Sequence, residues 1–303
     1  MGPTASGKTD VAVSLCKRFP FDVISVDSAL VYRGMDIGTA RPNAEILRRV
    51  PHRLIDIRDP EETYSAGDFI RDARIEMDQI AAAGRIPLLV GGTMMYFRAL
   101  IDGIAELPTA DDRIRAKIDA DADEQGWPAM HAKLRDVDPV AADRIHRNDS
   151  QRIQRALEVY LTSGKPLTAW QDQAVQDPAD DDWTYVKIAL QLKSREVLHA
   201  RIEKRLDSMI NNGFLDEVQT LRRRSGLTRG LPSMRAVGYR QFWDHAVGEC
   251  SLDEAKVQAL AATRQLAKRQ MTWLRSEAEL TSFDPLEARA IDAISAHLAG
   301  KLS

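Results

Sequence analysis

The sequence has few cysteines and no long apolar run, and both absences narrow the kinds of protein it can be. Its 303 residues include two cysteines, Cys16 and Cys250, which lie far apart and outside any CxxC pattern. The sequence therefore offers no disulfide framework and no zinc ribbon. No stretch approaches the roughly 18 apolar residues of a membrane-spanning helix, and the N-terminus lacks the basic and apolar regions of a secretory signal. We predict a protein of the reducing cytoplasm that has no membrane contact.

The sequence also lacks a strong excess of charge of either sign. Its net charge is −3, from 42 basic and 45 acidic residues, which argues against a protein that coats nucleic acid non-specifically. Of the basic residues 31 are arginine, the planar cation that suits phosphate, although a GC-rich genome explains this equally well. Acidic residues collect in 106–124 and 177–182, whereas 264–275 carries four cations and no acid. A local basic face is therefore expected on a nearly neutral protein.

A glycine-containing motif stands at the start of the chain. Residues 2–9, GPTASGKT, match the pattern G-x-x-x-x-G-K-[ST]. In this pattern backbone N–H groups wrap a diphosphate, the lysine adds a point charge, the threonine hydroxyl binds Mg²⁺ and the following helix adds its dipole. We predict a diphosphate site with bound Mg²⁺, in which Thr9 is the metal ligand. The residues assigned to it are Gly2, Pro3, Thr4, Ala5, Ser6, Gly7, Lys8 and Thr9.

The first hundred residues alternate short β-rich runs with helical patterns, which is typical of a parallel α/β sheet. Residues 21–26 and 86–90 have the composition of buried strands. Between them apolar residues recur at helical spacing, Ser65 and Asp68 form a capping box at the helix start, and Gly84 ends the helix. We therefore predict two parallel strands joined by this helix.

The rest of the chain has a mainly helical pattern. Residues 111 to 183 are helical and polar and end in an acidic, proline-containing stretch, which we interpret as an inserted domain. Residues 186–190 resemble a strand that returns to the core, and the remainder is predicted to be helical with a main loop at 226–232. The expected fold class is α/β. It has a P-loop NTPase-like parallel-sheet core flanked by helices at 1–110 and 183–303, with an inserted helical domain at 111–182.

A second motif, needed by nucleotide hydrolases, is missing. In those enzymes an apolar strand ends in an acidic residue that holds the metal, whereas the strand at 86–90 continues into Gly-Gly and Thr93. The acidic residue instead follows the strand at 21–26, as Asp27. Because parallel strands present their carboxyl ends to one crevice, we expect Asp27 and Thr93 to face the glycine loop. The alternative interpretation is that each is a helix cap or turn residue.

These motifs and several later ones resemble the bacterial tRNA dimethylallyltransferase family over nearly the whole chain. The sequence departs from the family pattern at Leu30, where many members have Gln, and at Met94 and Met95, where many have Gly-Leu. Both departures concern the shape of the substrate pocket. The stretches that carry the resemblance are 2–9, 27–42, 51–56, 91–93, 144–149, 151–158, 236–241 and 263–275.

The resemblance implies a particular reaction. A dimethylallyl group moves from dimethylallyl diphosphate to the exocyclic N6 of the adenosine just 3′ of the tRNA anticodon, and diphosphate is released. Asp27 is then the group that accepts the N6 proton or hydrogen bond, and Thr93 contacts the bridging oxygen of the donor. The glycine loop holds a leaving diphosphate together with Mg²⁺, which explains why no acid is needed to activate water.

The resemblance also implies that the tRNA anticodon stem-loop is the partner, with the target base flipped into a crevice between core and insertion. Arg152 and Arg155, three apart on a predicted helix, are expected to face phosphate together, the alternative being a solvated helix surface. Gln151 and Gln154 are expected to read base edges, and the tryptophans to be packing residues. The residues assigned to tRNA are Asp27, Ser28, Ala29, Leu30, Thr93, Arg115, Gln151, Arg152, Ile153, Gln154, Arg155, Arg235, Arg240, Lys268, Arg269 and Arg275.

The sequence alone leaves two other functions open. A P-loop kinase would use the insertion as a lid, but the strand that ends in Thr93 disfavours it. A prenyltransferase acting on free AMP or ADP would need neither the insertion nor the basic segment 264–275. For the tRNA-modifying enzyme a monomer is expected.

The start of the chain conflicts with its own motif. A P-loop normally follows a strand, yet Met1 immediately precedes Gly2. We therefore expect the functional polypeptide to begin about eight to twelve residues upstream, with an apolar strand of ordinary length.

Overall fold

A computed structural model describes residues 1–105, 107–176 and 183–302, with the backbone alone for 174–176. Statements below about what the fold contains refer to these residues. The acidic residues noted at Glu106 and 177–182, including the proline-containing end of the expected insertion, lie outside the described residues.

The chain forms two compact units, and the second begins at Leu100, earlier than position 111. The connecting segment is fastened within this second unit. Arg155 donates to the carbonyl oxygen of Pro108 at 2.9 Å, and Glu158 accepts the N–H of Asp111 at 2.9 Å. The segment before the first insertion helix therefore belongs with the helices that follow it. The units are Met1–Ala99 with Thr184–Ser303, and Leu100–Trp183.

Two small parallel sheets lie in the first unit. Strand β1 (Phe21–Val26) lies between β2 (His52–Arg53) and β3 (Ile86–Gly91). Strand β4 (Lys187–Leu190) pairs with β5 (Leu280–Phe283). All pairings are parallel, so the predicted parallel α/β arrangement is confirmed, and β1, β3 and β4 lie where the sequence predicts strands.

The register of β1 against β3 positions the candidate site. Val23, Ile24 and Val26 of β1 are fully buried, as expected for a strand covered on both faces. Val26 lies opposite Gly91, so the two strands end at the same level. Asp27 therefore leaves its strand beside the glycine turn that follows β3.

The prediction of an all-helical chain after the β4 region is wrong at β5. Lys187 lies opposite Leu280, and the pairing continues for four residues on each strand. The run Leu280–Phe283 is separated by three residues from the end of helix α13 (Leu252–Ser276). It is too short to show a clear alternation. The backbone of Met1 also bonds to β4, since its ammonium group donates to the carbonyl of Ile188 at 2.8 Å.

Some helices of the first unit pack on the strands, whereas the later ones mainly contact one another. The capping box at Ser65 and Asp68 is confirmed at the start of α3 (Ala66–Ala82), and α3 buries Phe69 and Ile80 where it contacts β1 and β3. The other helices are α1 (Lys8–Cys16), α2 (Ala44–Arg49), α4 (Met94–Asp102, which runs on into the second unit), α10 (Arg195–Asn211), α11 (Phe214–Arg222), α12 (Tyr239–Ala246) and α14 (Ala290–Leu302), with a 3₁₀ turn at Ser233–Arg235.

The second unit is helical in its described part and has a core of its own. Met130, Leu134, Ile153 and Leu157 pack together with Ile118. None of the helices described in either unit is long and apolar enough to cross a membrane. The helices of this unit are α5 (Asp112–Gln125), α6 (Trp127–Val137), α7 (Pro139–Arg144), α8 (Ser150–Ser163) and α9 (Leu167–Gln176).

Candidate active site

The glycine loop forms a tight turn that leads into α1. Ala5 and Gly7 both have positive φ, 62° and 90°, and Gly7 is the N-cap residue of the helix. Lys8 folds back over the loop, where its Nζ donates to the carbonyls of Gly2 at 3.0 Å and Pro3 at 2.8 Å. The loop thus holds its lysine at the positive end of a helix, where an anion is favoured.

Burial sets the charge state of Lys8. Removal from water lowers the pKa of Lys8 to about 8, while the charge of Asp27 opposes this shift and the charge of Arg205 adds to it. Burial also lowers the pKa of Arg205, again opposed by Asp27. Two cations and one carboxylate therefore interact beside the loop, and the cations are only partly compensated.

Two arginines of α10 border the loop, and no sequence motif predicts either of them. Arg201 donates from Nε to the carbonyl of Ala5 at 2.8 Å, and a Cβ at Gly7 would lie 3.6 Å from its Nη2. Arg205, one turn later, donates to the carbonyl of Thr39 at 3.1 Å. Their spacing of four places them on one helix face, but a single sequence contains no signal that this face meets a loop about 195 residues earlier.

One polar group in the loop has no partner. Ser6 is 1% exposed, and its hydroxyl makes no hydrogen bond to any residue that the structure describes. A buried, unpartnered hydroxyl is costly. The loop therefore holds a donor whose partner would be a bound group.

Asp27 and Thr93 lie at adjoining strand ends, as the sequence predicts. Oδ1 of Asp27 accepts the N–H of Ala29 at 2.9 Å, and the Thr93 hydroxyl oxygen accepts the N–H of Ser28 at 3.0 Å. Thr93 also donates its backbone N–H to Val26 at 3.2 Å. Both residues therefore have the turn and cap contacts of the alternative interpretation. The O–H of Thr93 also donates to Oγ of Ser28, at a long 3.4 Å. Oδ2 of Asp27 and, once that weak bond is released, the O–H of Thr93 are the groups with the capacity for chemistry.

The tRNA-assigned residues of the first unit are mostly exposed. Lys268 and Arg269 project from α13 and line a concave surface of about 320 Å³ together with Gln265, Thr272 and Trp273. The exposed residues among those assigned to tRNA here are Ser28, Arg235, Arg240, Lys268, Arg269 and Arg275, while Ala29 and Leu30 are half-buried.

In the second unit, two of the assigned arginines are held by a buried carboxylate. Glu158 is fully buried, and it accepts hydrogen bonds from Arg115 at 2.9 Å and from Arg155 at 2.7 Å. Burial alone would raise the pKa of Glu158, but the bonds from Arg155 and Arg115 hold that pKa below its ordinary value. Arg115 and Arg155 therefore help to hold the helices together.

The other residues of 151–155 differ in exposure and in their hydrogen bonds. Ile153 is fully buried in the core of the second unit, so its side chain serves packing. Gln154 donates to Asp119 at 2.6 Å. Gln151 and Arg152 are exposed, and Arg152 is 71% exposed in its side chain. Arg152 makes a surface ion pair with Asp149 at 3.5 Å, whereas Arg155 bonds to the buried Glu158. The two arginines therefore do not share one solvent-facing surface.

Fold and site together define a class of protein: an α/β protein with a glycine loop bordered by cations and with a second, helical unit that has its own core. A family model described as IPP transferase matches residues 30–277. The chain belongs to the IPP transferase family.

Individual relatives agree with this assignment. The chain is 53% identical over 302 residues to the tRNA dimethylallyltransferase of Thiobacillus denitrificans, covering 98% of this chain and 96% of that protein. It is 54% identical over 301 residues to that of Thioalkalivibrio sulfidiphilus, covering 98% and 93%. The structure resembles the full-length tRNA isopentenylpyrophosphate transferase of Bacillus halodurans with a TM-score of 0.72 and 40% identity, covering 99% and 94%.

Proposed function

We propose that this protein transfers the dimethylallyl group of dimethylallyl diphosphate to N6 of the adenosine 3′ of the anticodon in tRNA and releases diphosphate. The observation that carries the proposal is the proximity of Asp27 and Thr93, at adjoining strand ends, to a loop bordered by Lys8, Arg201 and Arg205. An acceptor for a proton and a cradle for a departing anion are the two parts that this transfer needs.

The donor diphosphate occupies the glycine loop. Lys8, Arg201 and Arg205 supply the positive charge, the helix α1 supplies its N-terminal N–H groups, and the unpartnered hydroxyl of Ser6 supplies a further donor. When the diphosphate binds, Lys8 and Arg201 exchange their bonds to loop carbonyls for bonds to phosphate oxygens. The hydroxyl of Ser6 gains a phosphate oxygen as its partner. The cradle therefore stabilises the anion that departs during transfer.

Magnesium fits the same place. Thr9 lies in the first turn of α1, and a hydroxyl together with diphosphate oxygens is a hard-oxygen ligand set of the kind that Mg²⁺ prefers. When bound, Mg²⁺ adds positive charge to the departing diphosphate. The protein's own cations and N–H groups orient that diphosphate.

Asp27 and Thr93 divide the work at the reacting atoms. The N6 nitrogen forms a bond to C1 of the dimethylallyl group while the C1–O bond breaks, and the electron pair of that bond leaves with the diphosphate. The proton of N6 passes to Oδ2 of Asp27. The oxygen of Thr93 accepts from the N–H of Ser28. Its O–H exchanges the long bond to the Ser28 hydroxyl for a bond to the bridging oxygen of the donor.

The acceptor RNA contacts the exposed polar residues of both units. Ser28 and the basic face of α13 contact it in the first unit, and Gln151 and Arg152 in the second. The adenosine is flipped out of its stack to reach Asp27. Arg115 and Arg155 support RNA binding indirectly, because their bonds to Glu158 hold helices α5 and α8 together.

The test uses labelled dimethylallyl diphosphate with an anticodon stem-loop RNA. Label should enter RNA that carries adenosine 3′ of the anticodon, and neither RNA with guanosine there nor free AMP should take it up. Asp27→Ala should lower kcat by about 10²–10⁴-fold, the usual loss on removal of a general base, with RNA affinity nearly unchanged. Equal labelling of AMP, or full turnover by Asp27→Ala, would reject the proposal.

A further inference from the structure

Gln270 is a buried polar residue that no function described above uses. It lies on the inner face of α13 and is 7% exposed. Its Oε1 accepts the backbone N–H of Thr4 in the glycine loop at 2.8 Å. Its Nε2 donates to the carbonyl of Gly92, immediately before Thr93, at 2.7 Å. One side-chain amide therefore bonds to both halves of the candidate site.

The packing at Gly92 shows how closely Gln270 fits. A Cβ at Gly92 would lie 2.5 Å from the Gln270 Nε2 and 3.3 Å from the carbonyl oxygen of Gly2. A larger residue at this position would displace the Gln270 amide from its bond to the Gly92 carbonyl. The glycine loop, the turn before Thr93 and α13 thus meet at a single point, where Gln270 is the polar connection.

At neutral pH an amide satisfies both bonds, which neither a carboxylate nor an apolar side chain can do. The N–H of Thr4 needs an acceptor and the carbonyl of Gly92 needs a donor, and glutamine presents one of each at the required distance. An apolar side chain of the same length would leave two buried backbone groups without partners. Gln270 therefore ties the glycine loop to the turn before Thr93 through two buried hydrogen bonds.

We infer that Gln270 is a positioning residue that fixes the donor-binding loop relative to the Thr93 turn, so that the bridging oxygen of the donor meets the Thr93 hydroxyl. The inference rests on the proposed function. It goes beyond that function because it gives α13 a role inside the donor site as well as on the RNA-facing surface. Displacement by about 1 Å at such a site costs up to about 10²-fold in rate.

Two variants and a matched control test this role. Gln270→Met removes both bonds at nearly constant size, and Leu274→Ala, one turn later on the same buried face, removes packing alone. Gln270→Met should weaken pyrophosphate binding by about tenfold and lower kcat by about 10²-fold, with the affinity for the stem-loop RNA unchanged. Leu274→Ala should lower Tm at least as much while pyrophosphate affinity stays within about twofold of the wild type.

The second variant, Gln270→Glu, supplies a signature that a packing role cannot produce. Protonated glutamic acid has one O–H donor and one carbonyl acceptor, so it reproduces both bonds, whereas the carboxylate is repelled by the Gly92 carbonyl. The pyrophosphate affinity of Gln270→Glu relative to the wild type should therefore rise as pH falls from 8 to 5.5, by up to about tenfold per unit. The other ionisable groups of the site, Lys8 among them, are common to both proteins, so the ratio reports on residue 270.

The outcomes separate the inference from the function. Pyrophosphate affinity of Gln270→Met within twofold of the wild type, or an equal loss in Leu274→Ala, overturns the positioning role. If Gln270→Met does not fold, a flat pH ratio for Gln270→Glu overturns it instead. The proposed function is judged on the wild type alone, and it fails if that protein neither binds pyrophosphate nor transfers the prenyl group.

Discussion

Among single residues, Lys8 has a charge state that only the folded structure reveals. Its pKa of about 8 lies below the ordinary 10.5, so above pH 8 the unliganded protein carries a neutral amine that must take up a proton to bind an anion. We predict that pyrophosphate affinity falls as pH rises from 8 to 9.5, by up to about tenfold per unit. Calorimetry in buffers of different ionisation enthalpy measures both the affinity and the proton uptake.

The control for this prediction is Lys8→Arg. An arginine stays charged throughout this pH range, and the ionisation of pyrophosphate itself is common to both proteins. The wild-type affinity should therefore decline relative to that of Lys8→Arg. Parallel pH profiles would show that Lys8 keeps its proton up to pH 9.5 and that the low pKa is wrong.

Single residues also show what a sequence can and cannot reveal about a site. Lys8 and Thr9 follow from a contiguous motif, and Asp27 and Thr93 follow from the rule that parallel strands end at one edge. Arg201 and Gln270 have no such rule, because their roles depend on the packing of helices that are distant in sequence. From sequence alone, a glutamine in a helix is predicted to be exposed. Its burial becomes evident only when the groups to which it bonds are known.

Helix α8 carries a buried carboxylate, Glu158, that bonds to Arg155 of the same helix and to Arg115 of α5. Glu158 holds Arg115 and Arg155 from a fully buried position, so Glu158→Gln should lower the free energy of unfolding of the second unit by about 2–4 kcal/mol. Because the pKa of Glu158 is held low, its stabilisation is complete near neutral pH and is lost as pH falls through the carboxylate range. Urea unfolding at pH 7 and pH 4 measures both effects, and equal stability of the two proteins at pH 7 would contradict the prediction.

The exposed Arg152 provides the comparison on the same helix. Arg152→Ala should leave stability unchanged and reduce the slope of log affinity against log salt for stem-loop RNA by about 0.7 to 1, the loss of one phosphate contact. Arg155→Ala should act mainly on stability, because its guanidinium bonds to Glu158 and Pro108. If Arg155→Ala instead reduced the salt slope and left stability unchanged, Arg155 would contact the RNA directly.

For the molecule as a whole, composition and periodicity predicted the parallel α/β core and the helical insertion, but not every element or boundary. β5 was missed because four residues after a 25-residue helix carry little pattern. The second unit begins at Leu100 because the bonds of Pro108 and Asp111 to α8 fasten the connecting segment to it. Such contacts join residues about 47 positions apart, and local sequence does not reveal them.

The two separate cores lead to a prediction for the whole chain. Leu134 is fully buried among the helices of the second unit, and Phe69 is fully buried where α3 meets the sheet of the first. Since each unit has its own core, Leu134→Ala should destabilise the second unit by about 2–5 kcal/mol and weaken stem-loop RNA binding, while pyrophosphate binding to the glycine loop stays intact. Phe69→Ala should instead reduce pyrophosphate binding, because α3 supports the strands that carry the site.

Hydrogen exchange resolved by segment, together with both binding assays, measures whether the two units respond separately. Faster exchange across the whole chain in Leu134→Ala, with pyrophosphate binding lost as well, would mean that the two units fold as one.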